Sequence, residues 1–291
     1  MDEQPQVTRT DRSRPYPPHG VVLVLQSDGY CTNRSLRSAT MPTLFLCCAV
    51  HSAVALAHGA TFNVRDYGAV GDGKADDTAA VRKAAGALAS VGGGKLLFPS
   101  SFSFITGSFN LTSNAELAVE GTILGSHDGT QWPLVDAGAV WPQFGHGSDC
   151  TPGTEQCRLM HQALIFAWRA TNITLSGHGT VDARGQPWWD CARDLSKPPC
   201  SGHGRPHLLM LSNVTGVKVA DLHFQNSPDW TLHFSSVKTL RMARVYVTNP
   251  KRDAPNSDGI DLDCVQASAA SPQLATITAF RVHRPAALAL C

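Results

Sequence analysis

Three carboxylates stand within six residues near the end of the chain. The stretch Asn256–Cys264 reads NSDGIDLDC, and it brings Asp258, Asp261 and Asp263 together directly after a strand-like run. Carboxyl groups at such spacing suit acid and base work in hydrolysis, where a protonated group donates and an ionised group activates water. A lone aspartate here also fits an ordinary turn. The secondary structure around the stretch decides between a catalytic carboxylate and a turn residue.

The composition is that of a turn-rich β protein. The 291 residues carry a net charge of +1, charged residues make up 16%, and Gly (25) and Pro (18) are abundant. The near-neutral charge argues against general binding of nucleic acid or membrane surfaces, which needs a basic patch. The length allows one or two domains, and residues 58–291 are enough for one large core.

Two segments precede the region that we expect to fold. Residues 1–40 are polar and Pro-rich without an apolar period, which predicts a disordered or mis-annotated extension. Residues 41–57 form an apolar run that ends in Ala-Leu-Ala, as in a secretory signal peptide, although the run carries no Lys or Arg. A buried apolar helix or a membrane anchor is the alternative. We therefore expect translation to start at Met41 rather than Met1, and the protein to be secreted to the extracellular space or cell wall.

In a secreted protein, the cysteines can form disulfides and the Asn-x-Ser/Thr sequons can be glycosylated. Cys150 with Cys157, and Cys191 with Cys200, are close pairs in loop-like segments, which predicts two local disulfides. No pair has the C-x-x-C spacing of a zinc site, and we expect neither a metal nor another cofactor. The predicted glycosylation sites are Asn110, Asn172 and Asn213.

A repeated strand pattern predicts the fold of residues 58–264. At an offset of 23 residues, segment 212–228 aligns with segment 235–250, so that Val214 falls on Val237. Each unit is too small to bury its own apolar face, so stacking must form the core, as in a solenoid. Units of strand alone predict an all-β, right-handed parallel β-helix. A leucine-rich repeat and a β-sandwich are the alternatives.

One helix is expected, at the start of this domain, where it would cap the solenoid. Asp76, Asp77 and Thr78 offer N-cap oxygens, and the small apolar residues that follow recur at helical spacing. After this helix the pattern predicts strands without further helices.

Several ordered motifs in residues 61–264 resemble glycoside hydrolase family 28, the polygalacturonases. The stretch FNVRDYGAVGDGKADDTAAVRKA resembles the N-terminal cap of pectinase-type β-helix proteins, and GHGTVDARGQPWW is similar to a family segment that ends in Trp-Trp. NPKRDAPNSDGIDLDC is similar to the segment with the first catalytic motif, Asn-Thr-Asp, although Ser257 replaces the Thr. The resemblance implies inverting hydrolysis of α-1,4-linked galacturonate in pectin.

The resemblance also implies a role for each polar residue of the opening stretch. Asp258 would be the water-activating base, and Asn256 would help to shape the site. Asp261 would order the coil, and Asp263 would lie in the following turn or at its rim.

Aromatic residues offer surfaces on which sugars can pack. Trp230 and His233 are candidates for substrate binding, and so is the pair Trp188–Trp189. Burial in the core or under a loop is the alternative for each of them.

The other family motifs do not follow Asp258. Residues 265–291 contain no Asp, Glu or Gly, so the Asp-Asp, Gly-His-Gly and Arg-x-Lys motifs are missing there. The triplets 145–147, 177–179 and 202–204 spell Gly-His-Gly but precede Asp258, and we expect tight turns at them. We therefore expect a β-helix that is incomplete at its C-terminus, an aberrant tail over 265–291, and little activity from this chain alone.

A non-catalytic β-helix protein that binds carbohydrate is the alternative function. The missing acid favours binding, whereas the Asn-Ser-Asp-Gly-Ile-Asp motif favours hydrolysis. A β-helix lyase would need Asp clusters for Ca²⁺ and a catalytic Arg or Lys, a combination that the sequence does not suggest. We expect a monomer whose partner is a pectic polysaccharide and which binds neither nucleic acid nor, once the signal is cleaved, a membrane.

Overall fold

The computed structural model describes one long stack of short strands. The described residues are 23–26, 59–142, 144–147, 153–250, 252–263, 273–278, 281–282 and 287–289. The strands before the middle of the chain are β1 Leu23–Gln26, β2 Thr61–Asn63, β3 Asp72–Asp76, β4 Gly94–Phe98, β5 Ser103–Thr106, β6 Phe109–Asn110, β7 Ala115–Val119, β8 Thr122–Gly125, β9 Leu134–Asp136, β10 Leu159–His161 and β11 Ile165–Trp168.

The strands that follow belong to the later coils. They are β12 Thr171–Ser176, β13 Thr180–Asp182, β14 Leu209–Ser212, β15 Thr215–Ala220, β16 His223–Gln225, β17 Leu232–Ser235, β18 Lys238–Ala243, β19 Tyr246–Thr248, β20 Ile260–Asp263, β21 Gln273–Thr278, β22 Arg281–Val282 and β23 Ala287–Ala289. The helices are α1 Thr78–Ser90, α2 Ala137–Val140, α3 Glu155–Arg158 and α4 Gln186–Cys191. Two 3₁₀ turns span Val64–Tyr67 and Gly129–Gln131.

Three parallel sheets form the three faces of each coil. Sheet A contains β2, β4, β7, β12, β15, β18 and β21, with β1 antiparallel at its edge. Sheet B contains β3, β5, β8, β13, β16, β19 and β22, and sheet C contains β6, β11, β14, β17, β20 and β23. Because the chain visits A, B and C in turn and pairs each strand with its equivalent one coil away, the fold is a right-handed parallel β-helix, as the repeat predicts.

The strand register confirms the alignment that predicts the repeat. Val217 pairs with Leu240 on sheet A, and Phe224 pairs with Val247 on sheet B. These side chains are buried and point into the core between the sheets. Stacked strands lie about 4.8 Å apart, so equivalent side chains of successive coils form continuous apolar rows.

Helix α1 closes the N-terminal end of the core through Val81, Ala84 and Leu88, which are buried. Asp76 Oδ1 accepts the N–H of Thr78 at 2.8 Å, as an N-terminal cap would. The carboxylate of Asp77 instead accepts the N–H groups of the preceding turn, one of them from Val70 at 2.6 Å. Asp77 therefore stabilises the turn rather than the helix end, in contrast to its predicted role.

Helices α2, α3 and α4 correct the prediction that only strands follow α1. Asp136 starts α2 because its carboxylate accepts the N–H of Ala139 at 3.1 Å. Pro187 lies in the first turn of α4, where its missing N–H costs nothing. All three helices lie in excursions between coils, which a search for repeated strands does not detect.

The chain ends contribute short strands, while the aberrant tail over 265–291 and the extension over 1–40 remain predictions. Strands β21, β22 and β23 continue sheets A, B and C within residues 265–291, and β1 lies within residues 1–40. A coil edge offers backbone N–H and C=O groups to any extended segment, whatever its side chains, so a weak sequence pattern does not prevent pairing.

The predicted turns and one predicted bridge are present. The first glycine of each Gly-His-Gly triplet has a positive φ, at 74° in Gly145, 116° in Gly177 and 90° in Gly202. Cys191 and Cys200 form a disulfide, which confirms that pair. Cys150 lies outside the described residues, so its bridge to Cys157 remains a prediction.

The three sequon asparagines, Asn110, Asn172 and Asn213, are all exposed. Within the described part of the chain, no helix has the length and apolar character needed to cross a bilayer.

The stacked core predicts a large cost for removing one inward side chain. Phe234 is fully buried and pairs in register with Leu211 and Leu262. We expect Phe234→Ala to lower the free energy of unfolding by about 3–5 kcal/mol, because it leaves a cavity between two coils. Lys238→Ala, on an exposed position of the next strand, should change it little. Denaturant titration measures both, and similar effects would contradict this account of the core.

Candidate active site

Sheet C carries two rows of side chains on its outer face. Its inward positions, such as Leu209 and Leu211, belong to the main core, so the alternate positions face outward. The first outward row consists of Phe166, Met210, His233 and Asp261. The second row consists of Trp168, Ser212, Ser235 and Asp263. Each row carries an aspartate at β20, and β23 then places Ala287 beside Asp261 and Ala289 beside Asp263.

The predicted catalytic motif forms a tight turn just before β20. Ser257 is buried, and its Oγ donates to the carbonyl of Ala254 at 2.8 Å. Asn256 is exposed and adopts a positive φ of 55°. Asp258 is half-buried, and its carbonyl accepts the N–H of Thr231 on the previous coil at 3.0 Å. The hydroxyl that Ser257 shares with threonine thus holds the turn rather than facing outward.

Asn249 ties this turn to the neighbouring coil. Its Nδ2 donates to the carbonyl of Ser257 at 2.9 Å and to Oγ1 of Thr231 at 2.7 Å. Its Oδ1 accepts the N–H of Ser227 at 2.9 Å. One buried amide therefore holds the backbone on both sides of Asp258 in position.

Arg205 holds the same turn from the other side. The residue is fully buried, and its guanidinium donates to the carbonyls of Pro228 at 2.6 Å and Pro255 at 3.0 Å. It also donates to Oδ1 of Asn256 at 3.1 Å and to the carboxylate of Asp229 at 3.3 Å. A planar guanidinium can donate to several oxygens arranged around it, and the Asp229 carboxylate compensates its charge.

A buried chain of polar groups runs from His207 to the edge of sheet C. Nδ1 of His207 lies 2.9 Å from Nδ1 of His233, and Nε2 of His233 lies 2.8 Å from Oδ2 of Asp263. The indole N–H of Trp141 donates to the same Asp263 oxygen at 2.7 Å. Asp263 is the last residue of β20, so it lies at the rim of the following turn, which is the second of its two predicted places. It is held there by two buried donors.

Burial sets the protonation of the two histidines. It holds the pKa of His207 well below the usual range, with the His233 ring and the Arg205 charge acting in the same direction. Burial also lowers the pKa of His233, although Asp263 opposes this effect. In the neutral state, His233 donates to Asp263 through Nε2 and accepts at Nδ1 from the Nδ1–H of His207.

Asp261 is the most unusual acidic group of the site. Its side chain is 2% exposed, and no described residue forms a hydrogen bond with either carboxyl oxygen. Burial, with the charges of Asp258, Asp229 and Asp263, raises its pKa to about 8. Asp261 therefore keeps its proton at neutral pH. It was predicted to order the coil, but it makes no hydrogen bond within the described structure through which it could do so.

Acidic groups gather here without forming a metal site. Among the described residues, no group of three or more His, Cys, Asp or Glu is placed to hold a metal ion.

The predicted aromatic contacts are mostly covered. His233 is fully buried beneath Trp141, so a direct contact with a sugar would require the covering segment to move. Trp230 is half-buried and packs against Trp141 with ring centroids 4.7 Å apart. Trp188 and Trp189 are buried, which agrees with the alternative prediction that they fill the core or lie under a loop.

Arg205, His207 and Trp141 are the residues that sequence reasoning missed. Arg205 and His207 lie just before the repeated strands, in a segment that matches none of the motifs named above. Trp141 lies in an excursion that the strand repeat does not include. The residues after Arg205 have the pattern of a buried strand. This pattern is the one signal in the sequence that a charge so close to the strand needs a partner.

Comparisons with known proteins agree with this geometry. The sequence model of glycosyl hydrolases family 28 matches residues 148–269. A protein named "Probable polygalacturonase" from Vitis vinifera is 29% identical over 248 residues, which cover 84% of this chain and 46% of that protein. A polygalacturonase from Chamaecyparis obtusa is 28% identical over 207 residues, covering 69% of this chain and 35% of that protein. The crystal structure of an exopolygalacturonase from Thermotoga maritima has a TM-score of 0.55 at 24% identity, covering 69% of this chain and 49% of that one.

The stacked parallel sheets define the fold as a pectin-lyase-like parallel β-helix. The chain is similar over residues 148–269 to glycosyl hydrolases family 28, the family of the polygalacturonases, which are glycosidases. It spans about half or less of the length of the curated relatives named here, at 46% and 35%.

The raised pKa of Asp261 predicts a pH-dependent stability. Between the unfolded pKa near 3.8 and the folded pKa of about 8, the folded state binds more protons, so stability falls as pH rises through this window. Asp261→Asn removes this contribution. We expect the variant to gain stability relative to the parent as pH increases from 4 to 8, as measured by thermal unfolding across this pH window. A constant difference across the window would contradict the buried, protonated carboxyl.

The buried guanidinium of Arg205 predicts that removing it will destabilise the fold more than removing an exposed arginine. Arg205→Ala should cost about 3–5 kcal/mol of stability, because it leaves the Asp229 carboxylate buried without its cation. Arg244→Ala is the matched control, since Arg244 forms an exposed pair with Asp221 and should change stability little. Equal losses in the two variants, measured by denaturant titration, would show that Arg205 does not hold the turn.

Proposed function

We propose that the protein is a polygalacturonase-like hydrolase of pectin that cleaves α-1,4-galacturonosyl linkages with inversion. The observation that carries this proposal is the half-buried Asp258, held by the neighbouring coil in the turn before β20 beside an exposed Asn256. The match of residues 148–269 to the family 28 model and the polygalacturonase relatives support it.

Each residue has a proposed part in this reaction. Asp258, in its ionised form, would draw a proton from the attacking water, and Asn256 would bind a sugar hydroxyl beside it. Trp230 offers a partly exposed aromatic face to a sugar ring. His233 would act beneath this surface by holding Asp263, unless the covering segment moves and exposes it.

An inverting hydrolase also needs an acid at roughly 6.5–9.5 Å from the base. The sequence contains no Asp or Glu after Asp263. Asp261 is protonated but 2% exposed, so it does not reach a leaving oxygen in this structure. Because an acid contributes roughly 10²–10⁴ in rate, we expect this chain by itself to bind substrate and to hydrolyse it only slowly.

The proposed setting is extracellular or within a cell wall, where pectic polysaccharide would be the partner. The exposed positions of Asn110, Asn172 and Asn213 support glycosylation of a secreted chain. The Cys191–Cys200 disulfide also suits an oxidising compartment.

The proposed reaction predicts a slow hydrolysis that depends on Asp258. Long incubations with polygalacturonate should release reducing ends slowly, and proton NMR should show the β-anomer first. Asp258→Asn should abolish this release while binding to polygalacturonate persists. Asp253→Asn, which changes an exposed carboxylate on the same loop, is the matched control and should leave the release unchanged.

Two results would contradict the proposal. Release that continues unchanged in Asp258→Asn would remove its role as the base. Binding without any release would favour the non-catalytic carbohydrate-binding alternative. Release by the parent chain as fast as by a complete family enzyme would instead show that the chain contains a working acid.

A further inference from the structure

The outer face of sheet C is closed on one side by a wall of aromatic and small residues. This wall, the Trp141 wall, consists of helix α2 together with Trp141 and Phe144. Ala137, Val140 and Trp141 pack directly on Phe166 and Met210 of the first outward row. As a result, Phe166 is 6% exposed and Met210 is 1% exposed.

The wall ends at the acidic part of the site. The Trp141 ring lies 4.6 Å from the His233 ring and 4.7 Å from the Trp230 ring, and its N–H binds Asp263. Beyond this point the surface opens, because Asp258 is half-buried and Asn256 is exposed. The wall therefore lies on the N-terminal side of the candidate base, over coils that precede it.

The wall is fixed in place by several bonds. The hydroxyl of Ser212 donates to the carbonyl of Val140, which ties the end of α2 to sheet C. Asp136 caps α2 and accepts a hydrogen bond from Arg158 at 3.0 Å. Strands β9 and β10 pair antiparallel at the base of the excursion. Trp141 thus sits in a supported segment rather than a free loop.

These contacts limit how a long sugar chain can lie. From Asp261 back to Phe166 the first row spans three coil steps of roughly 4.8 Å each, and α2 with Trp141 occupies the space above it. A polymer running along sheet C across the site would have to pass through the Trp141 wall. A chain that stops at the wall meets no such obstacle.

We propose that the Trp141 wall makes this site bind one terminus of a polyuronate chain rather than its interior. The proposal rests on the proposed function, because it concerns the same pectic substrate. Phe144 is the contact surface for the terminal sugar: it stacks on Trp141 with ring centroids 4.5 Å apart and is 50% exposed. The terminal ring packs against Phe144 while Asp258 and Asn256 face the linkage next to it.

Counting binding sites on the polymer tests this proposal without requiring catalysis. The full chain is titrated with polygalacturonate of two mean lengths at equal mass, and the number of protein molecules bound per gram is measured by calorimetry. Halving the mean chain length doubles the number of termini, so we expect the number of bound molecules to double. The same number at both lengths would mean that the interior is recognised and would overturn the proposal.

Two variants separate the wall from the rest of the surface. Phe144→Ala should weaken binding of short galacturonate oligomers by roughly three- to tenfold, because a terminal ring loses its aromatic contact. Tyr246→Ala removes a ring of similar exposure, 49%, from sheet B and should leave binding unchanged. Equal effects of the two variants would overturn the role of the wall. Binding to neither polygalacturonate preparation would contradict the proposed function itself, which is a different result from binding that ignores chain length.

Discussion

The backbone ladder between successive coils is the constraint on which the rest of the structure depends. Apart from the antiparallel β1, each strand of sheets A, B and C pairs in parallel register with its equivalent one coil away. A slip by one residue would exchange the inward Phe234 with the outward His233, and would put a polar ring into the core and a phenyl ring on the surface. The same register brings His233 beside Asp261 and Ser235 beside Asp263. Core and site are therefore fixed by one set of hydrogen bonds.

Several charged or titratable groups of the site are buried, and a charged group in a protein core needs a partner that compensates its charge. Arg205 and Asp229 are both fully buried, and each compensates the charge of the other. Asp261 has no such cation within the described structure, and it avoids the cost of a buried charge by keeping its proton. Burial disfavours charge on His207 and His233 too, whereas Asp258 and Asp263 are both partly exposed.

The sequence predicts those features that repeat. Val217 and Leu240 share a periodicity that stacking requires, so the β-helix and its register could be inferred from residue types alone. Asp258 could be named because Asn-Ser-Asp-Gly-Ile-Asp resembles a known motif. The α2 excursion could not be inferred in the same way, because Val140 and Ser212 are 72 positions apart and meet only when the coils are built. For the same reason, the bonds of Asp263 to His233 and Trp141 were not predicted, and strand pairing by residues 273–278 depends on a backbone edge rather than on side-chain pattern.

A crystal structure of the chain with a bound galacturonate oligomer tests the central claim most directly. The account predicts a sugar beside Asp258 and Asn256 in the turn before β20, with the terminal ring against Phe144 and no sugar above Phe166 or Met210. An oligomer bound on sheet A or sheet B, or one that runs across sheet C past a displaced Trp141, would contradict it.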